Sequence, residues 1–163
     1  MPYTNQNLNP QGAVKALPII HLALIAGQVL FCLVAYFQFP QKDFSMDGSK
    51  DPFVYVAVIL AAGGFFLGSF LFRQQVGKIG PENSLSQKIS AYQTAFILRA
   101  ALAEGPSLFS VVAFMLSGNL LFLAITGAII LYFLSFRPTR EKVSNDLNLD
   151  YNEKAELDGQ PAN

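Results

Sequence analysis

The stretch "VYVAVILAAGGFFLGSFLF", residues 54–72, decides the fold class. It holds no charged residue and offers no polar face at any helical spacing, so a helix built from it must be apolar all round. About 20 such residues cover the hydrocarbon of a bilayer. Working outward, this stretch belongs to a block from Pro52 to Phe72, and three more blocks of similar character follow the same rule: Ala16 to Phe39, Ala95 to Ser117 and Asn119 to Phe136. With 52% hydrophobic and only 13% charged residues in 163, the chain reads as an all-α polytopic membrane protein, a bundle of four transmembrane helices. A soluble four-helix bundle would carry polar faces that these blocks lack.

The first block is longer than a signal-peptide core, has only Lys15 before it as a charge, and ends without a small-residue cleavage site; it reads as a retained helix. Cys32 is the single cysteine, so no intrachain disulfide can form. Net charge is zero and no basic cluster is interleaved with aromatics, which argues against a nucleic-acid partner. The charges that exist are sorted. Lys15, Arg73, Lys78, Lys88, Arg137, Arg140 and Lys142 flank helix ends that alternating topology puts on one side; Lys42 and Lys50 stand opposite, among Asp43, Asp47 and Asp51. Lysine and arginine near helix ends favour the cytoplasm, so both termini are expected there.

Along the chain, residues 1–15 read as a polar N-terminal tail, 16–136 as the transmembrane domain with helices at about 16–39, 52–72, 84–117 and 119–136, and 137–163 as a polar cytoplasmic tail. "SLSQ" is a capping-box pattern, Ser84 with Gln87, and starts the third helix well before the membrane. In the last segment Thr139 offers a cap, Asp150 and Glu153 form a capping-box-like pair, and Val143 and Leu147 share a helix face. An amphipathic segment lying on the membrane or on the loops and a partly ordered solvated tail both fit that pattern. No internal repeat stands out.

Helix association in lipid relies on close packing, which small residues permit. Ala57, Ala61, Gly64 and Gly68 supply such a surface on the second helix, and Ala23 with Gly27, Ala101 with Gly105, and Ala124 with Ala128 add pairs on the others.

The ionisable residues inside the spans single themselves out, because a charge at the bilayer centre costs about 2.5–3.5 kcal/mol even on the lenient insertion scale. Arg99 is near enough to the boundary for its stem to snorkel. Glu104 is near mid-span on a short stem and cannot. Pro106 has no N–H, so the carbonyl of Leu102 loses its helical partner close to that carboxyl group, and Gly105 eases a bend. Counting depth at about 1.5 Å per residue puts Gln28, Gly63 or Gly64, and Thr126 or Gly127 near the level of Glu104, and His21, Gly68, Arg99 and Tyr132 in a shallower layer. A polar membrane site of Glu104, Arg99, Gln28, His21 and Pro106 is expected. Arg99 and Glu104 are about 140° apart around a straight helix, so a pair between them needs the bend. Glu104 can serve as a structural clamp, a proton or ion site, or a docking charge.

His21 is the only histidine and no thiol cluster accompanies it, so neither metal nor cofactor is expected. No catalytic triad, phosphate-binding glycine loop or metalloprotease motif occurs, and the chain does not read as an enzyme.

The run from Gly63 to Leu116, a glycine-bearing helix, a polar loop beginning "RQQ" and then "ALAEGPSLFSVVAFML" with one mid-membrane glutamate, resembles in outline the hairpin of rotary-ATPase proteolipid subunits. That resemblance implies Glu104 as an ion-carrying carboxylate. The pattern "YQTAFILRAALAEGP" with "LF", then "LSGN" and the exit "RPTREK", resembles small four-span membrane proteins of Bacteroidota-type bacteria, which implies a bacterial inner-membrane protein and carries no activity over. The expected role is a non-enzymatic accessory or structural component of a membrane assembly, in contact with lipid and with membrane-protein partners or further copies of itself. The alternative is a small transport or proton-translocating module using Glu104.

Overall fold

The computed structural model describes residues 9–39, 48 and 51–159. Six helices follow in order: α1 Pro10–Gln38, α2 Pro52–Val76, α3 Leu85–Ser117, α4 Leu121–Ser135, α5 Arg140–Asp146 and α6 Tyr151–Asp158. The protein is all-α, with no strand among the described residues. Lys42, Asp43, Asp47 and Lys50 of the acidic loop, and residues 1–8 of the N-terminal tail, lie outside the described residues.

Helix ends follow local chemistry. Ser84 accepts from the Gln87 amide at 3.4 Å while the Gln87 side chain accepts from the Ser84 amide at 3.0 Å, the reciprocal box read from "SLSQ". Gly118, at φ 71°, closes α3 in the left-handed conformation that glycine adopts without strain. α1 starts at Pro10, earlier than the expected Ala16: the Asn9 side chain accepts from the amides of Gln11 and Gly12, and Pro10 occupies the first turn, where its missing N–H costs nothing. Residues 10–15 are therefore helix and not tail. α2 likewise runs past Phe72 to Val76, and α4 is shorter than the expected 119–136.

α1, α2 and α3 are each long and apolar enough to cross a membrane; α4, with 15 residues and about 22 Å, reaches that standard only when counted with α5 across a 75° bend. Only 17% of the most apolar window of α1 and 22% of that of α2 is buried inside the protein. In water such an exposed apolar surface would drive aggregation, whereas in lipid it faces its own kind. These helices mark the chain as a multi-pass membrane protein.

α3 is the central element, packed against α1, α2 and α4. Two apolar clusters sit at its ends. One joins Ala35, Val54, Ala57, Val111, Phe114 and Phe122. The other runs from Leu85 to Ala103 along α3 and joins it to Val14, Leu17 and Ile25 of α1, to Ile129 and Phe133 of α4, and to Val143, Leu147, Leu149 and Leu157 of the C-terminal segment.

The C-terminal segment, residues 140–158, thus folds onto the end of the bundle as two short helices. Thr139 caps α5, and Asp150 with Glu153 forms a full capping box for α6. Outside lipid the hydrophobic effect operates, and each fully buried aliphatic side chain contributes roughly 1.5–3 kcal/mol. Polar ties add direction: Lys88 Nζ donates to Glu153 Oε1 at 2.6 Å, Tyr92 Oη to Asp146 Oδ2 at 3.0 Å, and Gln11 Nε2 to the carbonyl of Glu156 at 2.9 Å. Burial first, and then the Asp146 carboxylate, push the Tyr92 phenol well above its usual range.

Candidate functional site

At the proline break, α2 presses its backbone onto α3. A Cβ on Gly64 would collide with the carbonyl oxygen of Leu102 and stand 3.2 Å from Pro106 Cγ. The hydrogen in that position points at the carbonyl that Pro106 has left without an amide, a Cα–H contact of the kind that recurs between helices. Gly68, one turn on, is less crowded: a Cβ there would lie 3.5 Å from the Arg99 carbonyl. Around the same break, Ser110 Oγ donates to the Pro106 carbonyl at 2.9 Å, and Thr126 Oγ1 is 3.1 Å from the Phe122 carbonyl and 3.4 Å from that of Ser107 on α3.

Of the expected packing residues, Ala57, Gly64 and Gly68 are buried and Ala61 half-buried at helix contacts. Gly105 does not belong with them, since a Cβ there would meet nothing within 4 Å. Ala23 and Gly27, Ala101, and Ala124 and Ala128 also face outward. Small-residue spacing is blind to which face of a helix meets protein when both faces are apolar.

Glu104 is half-buried. Its neighbours Ala100, Ala103 and Ser107 are buried while Ala101, Gly105 and Leu108 are exposed, so it stands on the margin between bundle and surroundings. It makes no hydrogen bond or ion pair among the described residues.

Arg99 is half-buried, and its guanidinium is held by aromatic side chains of α2 and of the end of α4. Its Nε and Nη2 donate to Tyr132 Oη at 3.3 and 3.0 Å, and its guanidinium carbon lies 4.3 Å from the Phe136 ring centre, 5.3 Å from Phe72 and 5.7 Å from Tyr132. Ser69 Oγ is 3.1 Å from the same Tyr132 oxygen. Arginine only donates, which leaves the tyrosine hydrogen for Ser69. The aromatic faces and the phenol oxygen take the place of a counter-ion. Arg99 and Glu104 form no ion pair.

His21, 3% exposed, sits among Phe96, Phe133 and Phe136 with ring centres 5.6–5.8 Å away, and neither ring nitrogen has a hydrogen-bond partner. Gln28, 1% exposed, leaves both amide atoms unpartnered, as does Ser107 its hydroxyl. The expected depth layers are therefore corrected in kind. His21 and Arg99 do share a level, but they meet through the Phe136 ring between them, and no hydrogen-bonded polar layer joins Gln28, His21 and Glu104. Phe72, Phe133 and Phe136 are the residues sequence reasoning missed; the only signal was an aromatic near each helix end.

No group of three or more histidine, cysteine, aspartate or glutamate side chains able to hold a metal occurs among the described residues. Compared with known proteins, the chain matches no family model, no curated sequence and no solved structure.

Proposed function

We propose that this chain is a non-enzymatic inner-membrane protein that serves as an accessory or structural component of a membrane assembly, with Glu104 as the docking point for a polar or cationic group on a neighbouring transmembrane segment. One observation carries the reading: a carboxyl group in the middle of a span, on the margin of the bundle, without a partner among the described residues. Such residues are costly in lipid, and a partner from outside relieves that cost. The sorting of Lys15, Arg73, Lys88, Arg137 and Lys142 to the end that carries α5 and α6 supports a cytoplasmic location for both termini.

The test is extraction in mild detergent followed by mass determination of what travels with the protein. A discrete complex that Glu104→Leu dissolves supports docking. A monomer unaffected by Glu104→Leu refutes it. A second reading, a small proton- or ion-translocating module, draws on the same carboxyl group beside the unpaired Leu102 carbonyl. It predicts that Glu104→Gln abolishes ion flux in proteoliposomes with the fold intact, whereas docking predicts no flux to lose.

A further inference from the structure

Between α1 and α4, at the end that carries α5 and α6, lies a groove of about 360 Å3. Its walls are Ile19, Leu22 and Ile25 from α1 and Leu134 from α4, with Arg137 at the mouth and His21 as its one other polar wall. Ile19 and Leu22 are 69% and 66% exposed, so the groove opens to the surface that faces lipid. Arg137 is exposed at the end of α4, and Lys15 is exposed one turn beyond Ile19 on the face it shares with Leu22. Neither cation has an ion pair among the described residues. The His21 nitrogens are likewise unsatisfied.

Arg137 on the rim of an aliphatic slot, with Lys15 a turn along α1 from Ile19, suits a ligand that joins an anionic head to an apolar chain. We infer that this groove binds an anionic phospholipid, with the phosphate on Arg137 and Lys15 and one acyl chain along Ile19, Leu22 and Leu134. The charge complementarity supplies the headgroup preference, and basic pockets between helices at a membrane surface are known to hold such headgroups. Arginine suits the phosphate because its planar fork matches two oxygens at once. The inference rests on the membrane placement alone and is independent of what Glu104 contacts.

The experiment is a thermal-unfolding titration of the full chain in a nonionic detergent with phosphatidylglycerol, phosphatidylcholine or inorganic phosphate. Phosphatidylglycerol should raise the melting temperature saturably, and the other two should not. A basic residue near the membrane surface is worth about fivefold in affinity, so Arg137→Gln should weaken the response about fivefold and the Lys15→Gln, Arg137→Gln pair about thirtyfold. Leu22→Trp should fill the slot and abolish the response with both charges in place. Lys154→Gln, on α6, and Glu104→Leu should leave it unchanged. An equal response to phosphatidylcholine, an equal response to inorganic phosphate, or a wild-type response from the double variant each overturns the inference. So does a dimer that Leu22→Trp dissociates without any effect of lipid, which would make a second copy the occupant.

Discussion

Gly64 and Gly68 are one turn apart on α2, and alanine at the two sites should move stability in opposite directions. At Gly64 the new methyl group meets the Leu102 carbonyl oxygen and the Pro106 ring, at 3.2 Å from Cγ. Backbone and a ring cannot rotate aside, so the two helices must part. Overpacking of this kind costs about 3 kcal/mol, and the lost Cα–H contact adds about 0.5–1 kcal/mol. Helix propensity returns about 1 kcal/mol, leaving a net loss of about 2–3 kcal/mol. At Gly68 the nearest atom to the methyl group would be 3.5 Å away, an ordinary contact, so the same propensity gain of up to about 1 kcal/mol stands unopposed. The difference of about 3 kcal/mol is more than a hundredfold in the unfolding equilibrium. Reversible unfolding in mixed micelles, followed by circular dichroism, measures it. Equal stability of Gly64→Ala and Gly68→Ala, or a stabilised Gly64→Ala, would refute the close approach of α2 to the proline break.

Three other outcomes follow from the geometry. Glu153→Ala should loosen α5 and α6 more than Lys88→Met, by about 1–2 kcal/mol, because it strands an ammonium group whose side chain is only 7% exposed and also removes a cap; protease nicking of residues 147–150 reads this out, and equal sensitivity would count against the asymmetry. Arg99→Lys should destabilise the bundle by about 1–2 kcal/mol, since an ammonium group cannot stack on Phe136 while bonding Tyr132, and a double-mutant cycle with Tyr132→Phe should show coupling; additive effects would dissolve the aromatic cage. The folded Tyr92 phenol stays protonated above the pH at which an unfolded one ionises, so its contribution is intact below about pH 10 and falls as pH rises beyond it. Tyr92→Phe should remove that alkaline slope from hydrogen-exchange protection of α5 and α6, and an unchanged slope would place its origin elsewhere.

The spans were legible in the sequence because composition alone sets them apart, and the caps at Ser84, Thr139 and Asp150 because capping is a local chemistry of three or four residues. The start of α1 was not: "PQGAVK" has no apolar periodicity, and its helicity depends on Asn9 and Pro10 acting together. The fate of Val143 and Leu147 was half legible, since their spacing shows a face without saying what it meets. In the membrane the limit is sharper. A helix apolar on all sides gives no direction, so Gly64 and Gly105 look alike in sequence although one is pinned and the other open. Arg99 was found by its charge, but its cage is assembled from Phe72, Tyr132 and Phe136 on two other stretches of chain, a three-body arrangement that no local pattern announces.

A proline within a transmembrane helix is often a flexible point about which the two halves swing. Here the space for such a swing is taken on the side of α2: Gly64 lies against both the Leu102 carbonyl and the Pro106 ring, while Thr126 of α4 reaches to the Ser107 carbonyl just beyond. The break behaves as a rivet between α2, α3 and α4, not as a hinge. Any large movement of this protein should then carry α2 and α3 together at this point, on both sides of the proline.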